Sequence, residues 1–80
     1  MTKHADIQVN GVSYPISYQI ETQKPNSILV FHNSAILTEA ASEAIVAEIF
    51  KRQSIPPAQQ EHARIDFPFP GRMALILPPS

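Results

Sequence analysis

Apolar side chains recur at every second position on either side of a single break: Ile7 and Val9, then Asn10-Gly11, then Val12, Tyr14, Ile16, Tyr18 and Ile20. A period of two puts them all on one face of extended chain. Asn-Gly is the preferred pair for a two-residue type I′ turn, because both of its central residues need positive φ. With that turn Val9 faces Val12 and Ile7 faces Tyr14, so the pattern predicts a hairpin with one apolar face. The other face carries Gln8, Ser13, Pro15, Ser17 and Gln19, polar without charge. Pro15 has no backbone N–H to give, which predicts that its strand is an edge at that point or is bulged.

Glu21 to Ser27 reads as a loop, with Pro25-Asn26 suited to a turn. Ile28 to Phe31 is a short apolar run, β-branched and aromatic, and predicts a strand buried on both faces at the centre of a sheet. The period then changes. Leu37, Ala41, Ile45 and Ile49 recur every four residues, Ala44, Val46 and Phe50 widen the stripe, and Glu39, Glu43 and Glu48 point elsewhere, which is the pattern of an amphipathic helix. Asn33, Ser34 or Thr38 offers a cap for its start. Lys51 and Arg52 suit its C-terminal dipole, and Glu48 stands one turn before Arg52. Between Gln53 and Ala63, Pro56-Pro57 either extends the chain or starts a short helical turn.

The tail, "RIDFPFPGRMALILPPS", alternates Ile65, Phe67 and Phe69, turns at Pro70-Gly71 in the manner of a type II turn, and returns through Met73 to Leu77 before Pro78-Pro79 ends it. Alternation places Phe67 and Phe69 on one side and Pro68 and Pro70 on the other, as on a peripheral strand. The order β-β-β-α-β-β predicts a two-layer α+β domain, a mainly antiparallel sheet with one amphipathic helix packed on one face. Residues 1–80 form a single domain in this reading, with 1–5 a mobile terminus. Ile7, Val9, Tyr14, Ile16, Tyr18, Val30, Ile45, Ile49, Phe50, Leu75 and Leu77 are expected to make much of the core.

Composition narrows the functional classes. At 80 residues without cysteine, neither a disulfide framework nor a Cys-based zinc site is available, which fits a reducing compartment. The opening "MTKHADIQVNG" lacks the apolar stretch of a secretory leader, and no run approaches a membrane span. A cytoplasmic protein without membrane contact is expected. A net charge of -1 gives no global attraction for phosphate backbones. The charged fraction is 16% against roughly 25% in ordinary globular domains, so much of the surface must be neutral. Neutral polar surface is desolvated cheaply at interfaces.

Candidate chemistry is sparse. His4, His32 and His62 have no metal-ligand spacing among them. His32-Asn33-Ser34 sets a base two residues from a hydroxyl, but a third orienting group and oxyanion donors are not marked in the sequence. Glu39 and Glu43 lie one helical turn apart, as the polar side of an amphipathic helix would have them. Tyr14 and Tyr18 share the apolar face and read as core tyrosines rather than a base-stacking platform. The two glycines, Gly11 and Gly71, are each explained by a turn, which leaves no phosphate-binding loop.

These readings lead to a non-catalytic protein-binding module of adaptor or inhibitor type, comparable in size and class to small phage-encoded proteins. It is expected to act through a sheet edge and the neutral hairpin face, on a protein partner or as a homodimer, without cofactor or metal. Tyr14, Pro15, Ser17 and Gln19 on the hairpin and Phe67, Phe69, Arg72 and Met73 around the last turn are the expected partner-binding residues. The alternative is nucleic-acid binding by Lys51, Arg52, Arg64 and Arg72, which face only Glu61 and Asp66 as acidic residues in that stretch.

Overall fold

A computed structural model of the chain describes residues 2–21, 26–34 and 37–78. Pro25 of the expected loop turn and Pro79 of the terminal Pro-Pro pair lie outside them. Among the described residues, β1 (Lys3–Val9), β2 (Val12–Ile20), β3 (Ser27–His32), β4 (Arg64–Phe69) and β5 (Arg72–Ile76) form one sheet, with α1 (Glu39–Arg52) and the short α2 (Pro57–Glu61) between β3 and β4. The spatial order is β1-β2-β3-β5-β4 and every pairing is antiparallel. This is the expected α+β arrangement, a sheet with one main helix.

Asn10 and Gly11 both have positive φ, 51° and 80°, as a type I′ turn needs. The hairpin keeps unbroken register from Val9 opposite Val12 to Lys3 opposite Tyr18. Residues 3–5 are therefore strand, not a mobile terminus. The apolar pattern marks its start only at Ile7 because Lys3 and His4 are polar, yet β2 is long enough to pair with them.

Pro15 is accommodated by where β3 stops. In a two-residue hairpin the pair flanking the turn exchanges both hydrogen bonds and such pairs then alternate. Pro15, opposite Asp6, falls at a non-bonded position with its missing donor turned away from β1. On that side β3 has already ended, since its last partner on β2 is Ile16, opposite His32. β2 is interior for most of its length and an edge at its proline.

α1 begins at Thr38, whose Oγ1 accepts the Ala41 N–H at 3.1 Å. It ends by a Schellman motif: Ile55 N–H donates to Phe50 O at 2.9 Å and Ser54 N–H to Lys51 O at 3.3 Å. That motif holds Ser54 at φ 53°, a conformation glycine adopts without strain and serine does not. The Glu48–Arg52 ion pair forms at 2.7 Å and holds the Glu48 carboxyl below its ordinary range. Pro57 opens α2 at its first turn, where a missing N–H costs nothing.

Ile45, Val46 and Ile49 of α1 close over Ile7, Ile16, Tyr18, Ile28, Val30, Met73 and Leu75 to make the core. Val9, Tyr14, Phe50 and Leu77, expected inside, are half-buried around it. The Tyr18 hydroxyl, at the rim, accepts a hydrogen bond from Gln53 Nε2 at 3.3 Å. The expectation that β3 is buried on both faces holds for its position but not for its covering. Ile28 and Val30 are buried beneath α1, whereas Leu29 and Phe31, on the other face, are only half-buried. The apolar run marks a central strand, and it does not say that a second layer exists.

Candidate functional site: the open face of the sheet

The side of the sheet away from α1 can be laid out from the registers, because directly paired residues share a face. One row crosses all five strands: His4, Ser17, Phe31, Arg72 and Phe69. The next holds Gln19, Leu29, Ala74 and Asp66, and a third Ser27, Ile76 and Arg64. The face is thus divided. Over β1 and β2 it is polar, and over β3, β5 and β4 it is apolar with three charged side chains.

Arg72 is the centre of that apolar half. Its neighbours in the row are Phe31 and Phe69, and its Cζ lies 5.3 Å from the Phe31 ring centroid and 5.6 Å from that of Phe69. Both distances fall within the range of a cation–π contact. Among the described residues Arg72 makes no ion pair, while Arg64 pairs with Asp66 at 3.5 Å and Arg52 with Glu48. Beside Arg72 runs a groove of about 620 Å³, with Leu29, Ala74 and Ile76 along the strands and Phe69 and Leu77 at its margins. Glu21 borders it near the Ser27 end.

A break in β4 aims Phe69 into this face. The β4–β5 register shifts between Asp66 and Phe69, so both stand opposite open-face residues of β5, Ala74 and Arg72, although three positions separate them. This is a bulge, and it overturns the expected alternation. Phe69 joins the open face, while Phe67 lines, with His32 and Leu37, a second cleft of about 410 Å³ that Phe69 and Arg72 also border. The two residues are 59% and 61% exposed. The turn that follows is fastened to β3: His32 N–H donates to Gly71 O at 2.9 Å. Gly71 has φ 78°, and a Cβ there would stand 3.2 Å from His32 O.

The structure therefore gathers Ser17, Gln19, Phe69 and Arg72 of the expected partner-binding residues on one face. Pro15 lies on that face too, exposed at the far end of β2. Tyr14 faces the helix side, half-buried against the core. Met73 is 0% exposed, placed opposite Val30 under α1, and offers no surface to a partner; it leaves the candidate site because it follows Arg72 by one residue and so points the other way. Leu29, Phe31, Ala74 and Ile76 were missed. Their signal was the apolar run itself, read as burial.

The four basic residues of the alternative do not form one surface: Lys51 and Arg52 are on α1, and Arg64 and Arg72 are on the opposite side of the sheet. His32 faces the helix side, opposite Ile16. Its Nδ1 is buried with no hydrogen-bond partner. Burial lowers its pKa, and the Ser34 backbone works weakly the other way. Among the described residues, no three His, Asp or Glu side chains converge as metal ligands would, and no helix is long and apolar enough to cross a membrane. No family model, curated protein or solved structure matches the chain.

Proposed function

We propose that this chain is a small non-catalytic protein-binding module, an adaptor or inhibitor in kind, whose partner lies on the apolar half of the open sheet face. The observation that carries the reading is that β3 and β5, the strands with apolar side chains on both faces, have α1 over one face only. Leu29, Phe31, Ala74 and Ile76 remain half-exposed. A continuous apolar surface of this kind on a small domain marks an interaction site more often than a defect.

The lining of the groove supports one kind of occupant: a segment of protein that sets an apolar side chain between Leu29, Ala74 and Ile76 and a carboxylate against Arg72, clear of Glu21 and Asp66. Arginine and aromatic side chains at the centre of a patch are the usual energetic anchors. The split of Lys51 and Arg52 from Arg64 and Arg72 gives no such support to nucleic-acid binding.

Selection from a displayed random-peptide library tests this. Peptides recovered on the parent chain should combine apolar and acidic residues, and their binding should fall at least about tenfold with Phe69→Ala or Arg72→Ala. Glu43→Ala, on the far side of α1, should leave it unchanged. Peptides that bind all three variants equally would place recognition elsewhere.

A further inference from the structure

We propose that the chain also self-associates through β1, the outer strands of two copies pairing antiparallel about a two-fold axis at Ala5. The two edges of the sheet differ in kind. β4 is interrupted by its bulge, has Pro68 without a donor, and is followed at once by Pro70. β1 runs seven residues in unbroken register, with no proline and no positive φ. Edges are normally blunted by such interruptions or by charge; one edge here is blunted by backbone devices and the other is not.

The register can be derived. Since bonded pairs alternate away from the turn, Val9, Ile7, Ala5 and Lys3 hydrogen-bond to β2, and Gln8, Asp6 and His4 direct their N–H and C=O outward. A second strand must bond to these three residues, and opposed side chains must share a face. Centring the pair on Ala5 satisfies both conditions: His4 stands opposite Asp6 of the second copy, Asp6 opposite its His4, and Gln8 opposite its Thr2. An imidazole N–H thus meets a carboxylate at two symmetric places. Centring on Asp6 overlaps the whole of β1 but sets two carboxylates against each other, and centring on His4 or on Ile7 forms no His4–Asp6 pair. Charge complementarity, rather than length of ladder, selects the register centred on Ala5.

Sedimentation velocity on the full chain over a concentration series should show a reversible monomer–dimer equilibrium. Asp6→Pro should abolish it without altering the circular dichroism spectrum, because the lost N–H bonds nothing within the chain; only the exposed Ser13 hydroxyl loses its acceptor. His4→Asp, which opposes carboxylates, should weaken the dimer about tenfold, and combining it with Asp6→His should restore it. A parent chain that stays monomeric up to about 1 mM overturns the proposal. So does an Asp6→Pro chain that dimerises as tightly as the parent, or an exchange of the two residues that recovers nothing. If Asp6→Pro does not fold, the His4 and Asp6 exchange decides alone.

Discussion

Met73→Ala and Phe69→Ala, four residues apart, should separate the structural part of the tail from the part left for a partner. Met73, on β5 beside Val30 of β3, is fully buried beneath α1. Truncating it removes its transfer free energy and leaves a cavity, together about 2–4 kcal/mol. For a chain of 80 residues the whole unfolding free energy is on the order of 4–12 kcal/mol, so the loss is a large fraction. Phe69 is 61% exposed; with under half of the ring withdrawn from water, its removal should cost about 1 kcal/mol, including the contact with Arg72. In a domain of this size about 1 kcal/mol moves Tm by roughly 4–8 °C. Met73→Ala should therefore lower Tm by at least about 10 °C and Phe69→Ala by several degrees at most. Urea titration followed by far-UV circular dichroism provides both free energies, with the slope reporting whether the native state stays compact. Equal losses would mean that Phe69 is a core residue, and a Met73→Ala loss below about 1 kcal/mol would mean that β5 does not pack as described.

Two further outcomes follow from local geometry. Ser54 holds φ 53° at the end of α1, so Ser54→Gly should stabilise the chain by about 0.5–1 kcal/mol, a rise of several degrees in Tm; an unchanged or lower Tm would show that the Schellman end is not formed in solution. His32 has a folded pKa lowered by burial, so below about pH 6.5 the unfolded chain binds more protons than the native one. Its contribution to stability is full above that pH and is lost as pH falls toward the depressed folded value, and His32→Asn should flatten the fall of the urea midpoint below about pH 6.5. Equal pH slopes in both chains would show that His32 is as solvated when folded as when unfolded.

How much of this was legible in the sequence depends on whether side-chain pattern and backbone geometry carry the same information. For β1 and β2 they do: alternation and Asn10-Gly11 specify one register, and that register is observed. The same holds for α1, where the four-residue stripe, the Thr38 cap and the Glu48–Arg52 pair agree. At the tail they part. The bulge between Asp66 and Phe69 leaves no mark in hydrophobicity, yet it decides which face each phenylalanine occupies. Pro15 correctly signalled an edge, but a local one, because the end of β3 is set by a neighbour distant in sequence. The apolar half of the open face is visible as the runs Ile28 to Phe31 and Met73 to Leu77, but burial on both faces does not follow for the first, since an unbroken apolar strand looks the same whether its second face is covered by its own chain or left open. Met73 and Arg72 are adjacent, and one residue of register separates a core side chain from an exposed one.

The Arg72 guanidinium lies within cation–π reach of two rings on its own face of the sheet, Phe31 and Phe69. An arginine free in solvent must give up several rotatable bonds when a carboxylate arrives; this one has surrendered much of that freedom within the folded chain. A ligand meeting it would then be opposed by less configurational entropy, and the planar fork could offer a carboxylate two-point contact. Lysine at that position would carry the same charge without the planar fork, and would lose that two-point geometry.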